Sequence, residues 1–315
     1  MCCNATGSCR AVSCWFIVMP EGDSLHYLAA RLAPLVGRVI VAFESHDLSD
    51  AVCKSLIGVT VREVLARGKN LLVRFEDGRT LHIHLRMNGR MFVDKPRSTF
   101  WAPRTSVPQL RIAVYGFAVV GARIPVVRLL RDEARDEALR TLGPELIRPE
   151  NGNGIFAKAK IPWTSTEQSE VNDPAPTCVE VDVDEAVRRL RALETLPIGE
   201  AILRQRALAG IGNLYKSETL FLEGVHPCAQ VDVLSDEALR SVVLRASTLM
   251  RQNQHLPGTQ RRTRNALAGS RYWVYLRNGR RCLRCADGVI ERIYQGAAPG
   301  RSTYFCAVCQ PVMRG

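Results

Sequence analysis

The chain contains no apolar run long enough to cross a bilayer, although 46% of its 315 residues are hydrophobic. A secretory leader is not expected: before Met19 only Arg10 is basic, and the apolar stretch Cys14–Val18 is too short for an h-region. No internal repeat is visible, which argues against a solenoid. The sharpest shortage is local. From Gly258 to Gly315 there is no Lys, and Asp287 and Glu291 are the only acids against eleven Arg. Guanidinium forks suit phosphate oxygens, so a segment this one-sided points to phosphate contact. The net charge of +12 extends the same argument to the whole chain. It favours a polyanionic partner, nucleic acid ahead of a membrane surface.

Eleven Cys at first suggest disulfides. Their placement argues otherwise. Cys2, Cys3, Cys9 and Cys14 crowd the start, Cys53, Cys178 and Cys228 are scattered, and the last four form two Cys-x-x-Cys pairs. That usage fits a reducing cytosol. Cys282-x2-Cys285 and Cys306-x2-Cys309, separated by twenty residues, form a structural zinc template, since each pair offers two thiolates from one tight turn. One structural zinc ion is expected. Arg292 and Arg301 lie between the pairs, where a β-hairpin would carry an Arg at its tip into a DNA groove. The first four Cys lack His and regular spacing; they mark an extension or start-site artefact, with a metal cluster as the alternative.

Residues 24–36 read as a helix with Leu25, Leu28, Leu32 and Leu35 on one face, ended by Gly37. Strands are expected over 38–43, 60–66, 70–75, 80–85, 90–93 and 110–115, with Glu76-Asp77-Gly78 as a hairpin turn. This spacing predicts a β-sandwich. A short helix over 132–142 precedes Gly143-Pro144. Residues 149–178 have linker composition. Helices are then expected over 182–193, 198–203, 214–222 and 236–251. The fold class is α+β: a sandwich domain over 20–148, a helical domain over 179–270 and a four-cysteine zinc finger over 271–315.

Met19-Pro20-Glu21-Gly22-Asp23 has two readings. Pro20 can simply open a helix. If Met19 is the initiator and is removed, Pro20 instead becomes a free secondary amine. An α-amino group titrates near about 8, far below Lys, and is a nucleophile at neutral pH. Glu21 then stands beside it to move protons. Gly210-Ile211-Gly212-Asn213 lets the backbone approach a phosphate at a helix start, with Asn213 adding an amide donor. Lys69, in Arg67-Gly68-Lys69, sits at a hairpin entry from which it reaches a phosphate or active site; a lone exposed Lys is otherwise only solvated.

These motifs, in this order, resemble the formamidopyrimidine-DNA glycosylase/endonuclease VIII family of DNA-repair enzymes. The likeness runs from Met19 to Gln310 through Pro20–Ser24, Arg67–Leu72, His84–Gly89, Gln205–Glu218 and Gly300–Cys306. It implies a helix–two-turn–helix domain and bifunctional DNA glycosylase/AP lyase activity in base excision repair. It also implies roles for single residues. Pro20 matches the nucleophile that attacks deoxyribose C1′, and Glu21 the acid/base that assists ring opening. Lys69 matches a phosphate contact that supports catalysis, Asn213 a phosphate ligand, and Arg301 the hairpin arginine on backbone phosphate. Met87 matches a residue that fills the space left by the extruded base. The partner implied is double-stranded DNA with a damaged base or abasic site, met by a monomer away from membranes.

Pro-Glu-Gly-Asp-Ser departs from the Pro-Glu-Leu-Pro-Glu of the purine-acting branch. Ser24 replaces a carboxylate, and the variant resembles the endonuclease VIII side, which favours oxidised pyrimidines. Two alternatives remain: an enzyme preferring oxidised purines (8-oxoguanine, formamidopyrimidine), and a catalytically silent damaged-DNA-binding protein if Pro20 is not N-terminal. A zinc-ribbon module for RNA or protein explains only the C-terminal end.

Overall fold

The first helix, α1 (Gly22–Leu32), starts two residues before the expected Ser24. The Ser24 hydroxyl accepts from the Glu21 N–H and donates to the Glu21 carbonyl, both at 2.9 Å, so it closes the first turn rather than preceding it. A 3-10 turn, Ala33–Leu35, follows, and Gly37 at φ +74° ends the run. Leu25, Leu28, Leu32 and Leu35 are all buried, as their spacing requires. The computed structural model describes residues 20–94, 108–131, 133, 136–149, 178–179, 181–264 and 269–312. The clustered cysteines before Met19 and nearly all of the linker lie outside the described residues.

Strands β1 (Ile40–Ser45), β2 (Val61–Arg67), β3 (Asn70–Phe75), β4 (Thr80–His84), β5 (Arg90–Asp94), β6 (Leu110–Val114), β7 (Phe117–Ala122) and β8 (Val126–Leu130) build two antiparallel four-stranded sheets. Their orders are β1-β6-β7-β5 and β2-β3-β4-β8. The α1 leucines pack with Ile40, Phe43, Val64, Val73, Phe75, Ile83 and Ile112 into one core. Strands β7 and β8 lie beyond the last strand expected from the sequence, in the nearly continuous apolar stretch Phe117–Leu130. Its turn is carried by Arg123 at φ +53°, a residue without turn character. A short helix, α2 (Asp50–Ser55), was also missed; Ser49 caps it by accepting from the Val52 N–H at 3.4 Å. The helix expected over 132–142 contracts to α3 (Glu137–Arg140), because Asp136 acts as its N-cap, accepting from the Leu139 N–H at 3.2 Å. Beyond it, β9 (Arg148–Pro149) pairs antiparallel with β10 (Cys178–Val179), so the chain leaves and re-enters at one place.

The second core is helical. It is formed by α4 (Val183–Arg191), α5 (Ile198–Ala201), α6 (Asn213–Leu222) and α7 (Asp236–Asn253), with Leu190, Ile198, Leu214, Phe221, Val242 and Met250 inside. The Glu218 carboxylate of α6 accepts from the backbone N–H groups of Trp273, Val274 and Tyr275 at 2.9, 2.8 and 2.7 Å. This ties α6 to the chain entering the hairpin of β11 (Ile290–Gln295) and β12 (Arg301–Cys306). The Tyr304 N–H donates to Ser217 Oγ at 3.1 Å and fastens β12 along α6. Helix α1 packs on α7 and so joins the two cores. Among the described residues no helix is long and apolar enough to cross a membrane.

Candidate nucleic-acid-processing site

The seam is closest at three glycines. Gly22 N–H donates to the Gly210 carbonyl at 2.8 Å, and a Cβ on Gly22 would stand 3.0 Å from Gly210 Cα. Gly210 itself has φ +102°. Gln205 braces the loop: its Oε1 accepts from Gly210 N–H at 3.0 Å, and its Nε2 donates to the Ile211 carbonyl at 3.1 Å. Gly212 leaves room for Glu21, since a Cβ there would lie 2.4 Å from Glu21 Cδ.

That room is used. Buried Glu21 accepts from the Gly212 N–H at 2.7 Å through Oε2 and from the Leu214 N–H at 2.9 Å through Oε1. A carboxylate at a helix N-terminus meets orphan donors and the positive end of the helix dipole. Two donors expected to face a phosphate are therefore taken by Glu21. Pro20 is buried immediately before it.

The other residues singled out in the sequence gather at the same seam. Lys69 is half-buried in the β2–β3 turn, after Gly68 at φ +56°. Burial pushes its amine below the usual lysine range, Glu21 and Asp23 pull it back up, and Arg301 pushes it further down. Asn213 is the half-buried first residue of α6. Met87 lies in the β4–β5 loop and is 48% exposed, and Arg301 Nη1 of the hairpin reaches within 4.0 Å of its sulfur. Arg292 points elsewhere, over the ring of Tyr294 at 5.3 Å.

Sequence reasoning missed a buried polar layer beneath this surface. The Tyr215 hydroxyl donates to Asp23 Oδ2 at 2.9 Å, and Arg261 Nη1 lies 3.6 Å from Asp23 Oδ1. Burial raises the Asp23 carboxyl to about 6 despite the opposing Arg261 charge. Lys216 is fully buried, and its amine has no hydrogen-bond partner among the described residues. Lys216-Ser217-Glu218-Thr219 reads as a solvated stretch in the sequence; only the fold shows that α6 is covered on every side from Leu214 to Phe221.

The four C-terminal cysteines stand at the other end of the hairpin. Arg301 and Cys306 bound β12, a separation of about 17 Å at strand rise. The four sulfurs lie within 4.8 Å of one another, with Cys282 to Cys309 and Cys285 to Cys306 each at 3.8 Å. A tetrahedral ion with Zn–S of about 2.3 Å places sulfurs about 3.8 Å apart, whereas a disulfide needs about 2.05 Å. The Arg284 and Gly288 N–H groups donate to Cys282 and Cys285 sulfur at 3.4 and 3.3 Å, as they would to thiolates. The donor set fits zinc in a structural role, remote from Glu21.

Residues 19–116 match the formamidopyrimidine-DNA glycosylase N-terminal domain, and residues 173–264 match its H2TH domain. The Streptomyces coelicolor protein named "Probable endonuclease 8 2" is 36% identical over 294 residues, 93% of this chain and 94% of that protein. The Mycolicibacterium smegmatis "DNA-(apurinic or apyrimidinic site) lyase Nei2" is 31% identical, covering 93% of this chain and 99% of its own length. The fold is shared with Lactococcus lactis formamidopyrimidine-DNA glycosylase, solved non-covalently bound to AP-site DNA, at a TM-score of 0.69 and 22% identity over 93% of this chain and 100% of that one. With Glu21 clasped by the Gly-Ile-Gly-Asn loop, Lys69 and Arg301 beside it and four cysteines behind, the chain belongs to the formamidopyrimidine-DNA glycosylase/endonuclease VIII family, on its endonuclease VIII side.

Proposed function

We propose that this protein is a base-excision-repair DNA glycosylase/AP lyase that removes oxidised pyrimidines in preference to oxidised purines, using Pro20 as a Schiff-base nucleophile. The observation that carries the reading is the Glu21 carboxylate, buried beside Pro20 and held by Gly212 and Leu214 from the other half of the molecule. The target carbon is hidden in a stacked duplex, so the damaged nucleotide is flipped out. Met87, exposed at the rim, is the wedge that fills the gap. Lys69, Asn213 and Arg301 hold the flanking phosphates, and the cysteine-bound zinc stiffens the hairpin that carries Arg301.

In the reaction the Pro20 amine bonds to C1′ as the glycosidic bond breaks, and the base leaves with the bonding electrons and a proton. Glu21 moves a proton to the sugar-ring oxygen as it opens, leaving an iminium. The iminium acidifies the neighbouring C–H. Loss of that proton expels the 3′ phosphate, a second loss expels the 5′ phosphate, and water releases the amine. Pro20 serves only as an amine: a chain retaining Met19 has an amide there and binds without turnover.

The test is a panel of duplexes carrying oxidised pyrimidines or 8-oxoguanine, cut by protein whose N-terminus is verified as Pro20. Faster cutting at pyrimidine lesions, with phosphate on both new ends, is expected. Faster cutting at 8-oxoguanine would overturn the lesion preference, and no cutting at all would overturn the chemistry.

A further inference from the structure

The buried amine of Lys216 has no place in the mechanism above. It lies on α6 one turn beyond Gly212, the residue that holds Glu21, and directly before Ser217, which is fastened to Tyr304 of β12. That places it at the join of the helix, the hairpin and the catalytic segment. It is 0% exposed and its nitrogen has no partner among the described residues. An unpaired amine in such a place costs stability, and a methionine of similar shape would not. Where a fold keeps such a group, a role outside folding is indicated.

The charges acting on Lys216 come from four elements. Glu21 before α1 and Glu200 of α5 favour the ammonium; Arg301 of β12 and Lys69 of the β2–β3 turn oppose it. Helix α7 adds apolar Val243, Ala246 and Met250 to the same core. Burial is the largest influence, and the amine falls to about 7. In the free protein, then, Lys69 and Arg301 crowd the Lys216 amine, and burial disfavours its charged form.

We infer that Lys216 is a reserve positive charge of the phosphate cradle, a positioning residue that takes up a proton when a DNA phosphodiester enters between Lys69 and Arg301. This rests on DNA being the ligand, as proposed above. The incoming phosphate neutralises the repulsion from Lys69 and Arg301. The Lys216 ammonium then strengthens the field beneath the phosphate and beside Glu21 without touching the nucleotide. Protonation and DNA binding are thereby linked: whatever raises the proton affinity of Lys216 is matched by tighter binding when the amine is charged.

The probe is a duplex containing a tetrahydrofuran abasic analogue, which forms no Schiff base. Affinity is measured from pH 5.5 to 9 at fixed ionic strength for the unaltered protein, Lys216→Met and Lys216→Arg. Proton uptake is measured at pH 8 by calorimetry in two buffers of different ionisation enthalpy. For the unaltered protein, affinity should hold below pH 7 and weaken above it, by up to about tenfold per pH unit, with uptake approaching one proton. Lys216→Met should bind more weakly with that share of the slope gone, and Lys216→Arg should bind well at pH 6 and lose less affinity by pH 9 than the unaltered protein. Lys69, whose amine burial also lowers, and a free Pro20 amine share the site, so a slope that survives unchanged in Lys216→Met belongs to them and overturns the inference. So does an absence of proton uptake by the unaltered protein, a result that needs no variant to fold. Failure to bind the duplex at any pH would instead overturn DNA as the ligand.

Discussion

The sandwich and the seam complete their polar groups from different places. Within the sandwich, Asn70 and His82 satisfy each other at 2.8 Å, and Arg74 is held by Glu63 and Glu133 at 2.6 and 2.7 Å. Those partners come from the same half, and the groups they tie down do structural work. At the seam, Glu21 of the first half is held by backbone of the second, and Lys216 is not satisfied by any described residue. Polar groups completed across the join, or left open there, mark where a substrate can change the balance. On the proposed function, the chemistry lies where neither half is complete alone.

The largest break in this contrast should come from Cys282→Ser. Removing one thiolate should abolish zinc binding, loosen the hairpin and weaken duplex binding by about 100-fold or more while the sandwich stays folded. Metal content and binding isotherms check this, and retained tight binding would remove the hairpin from the account. Gly212→Ala sharpens the comparison from the other side. Its new methyl would displace the Glu21 carboxylate, so turnover should fall by about 100-fold with binding little changed. Single-turnover kinetics separates the two.

Acid should loosen the seam, and also β4 of the sandwich, where burial and then Lys69 lower His84 to about 4. His26 on α1 is lowered to about 4, first by burial and then by His255, against a hydrogen bond to the Ile147 backbone. Its folded-state affinity for protons lies below the ordinary 6.5, so the unfolded chain binds the extra proton. The stability this neutral His contributes is complete above pH 6.5 and is lost as pH falls toward 4, by up to about 3 kcal/mol. Urea unfolding at pH 7 and pH 4.5 should show that loss, and His26→Gln should flatten it. The smallest effect expected is that of Lys69→Ala, about tenfold in turnover with less than about threefold in binding. An equal loss in both would make Lys69 a binding residue only.

Much of the fold was legible because its periodicities were strong. The α1 leucines, the Glu76-Asp77-Gly78 turn and the cysteine pairs each carry a local signal. The start of α1 was not, because Ser24 caps from inside its first turn. Strands β7 and β8 were not read because their apolar run shows no alternation and Arg123, at positive φ, begins the turn between them. The site was legible as a set of motifs, and its connections were not. Nothing local in Gly-Ile-Gly-Asn says that its helix donors meet Glu21, nearly two hundred residues earlier. Asp23, Tyr215 and Lys216 stayed hidden for a related reason: their burial is created by packing between the halves.

The most direct measurement is borohydride trapping on abasic-site duplex DNA, comparing protein processed to Pro20 with a chain that retains Met19. The account predicts a covalent adduct from the first, mapped to the Pro20 nitrogen, and none from the second. Equal trapping from both, or an adduct on a lysine instead, would contradict Pro20 as the nucleophile.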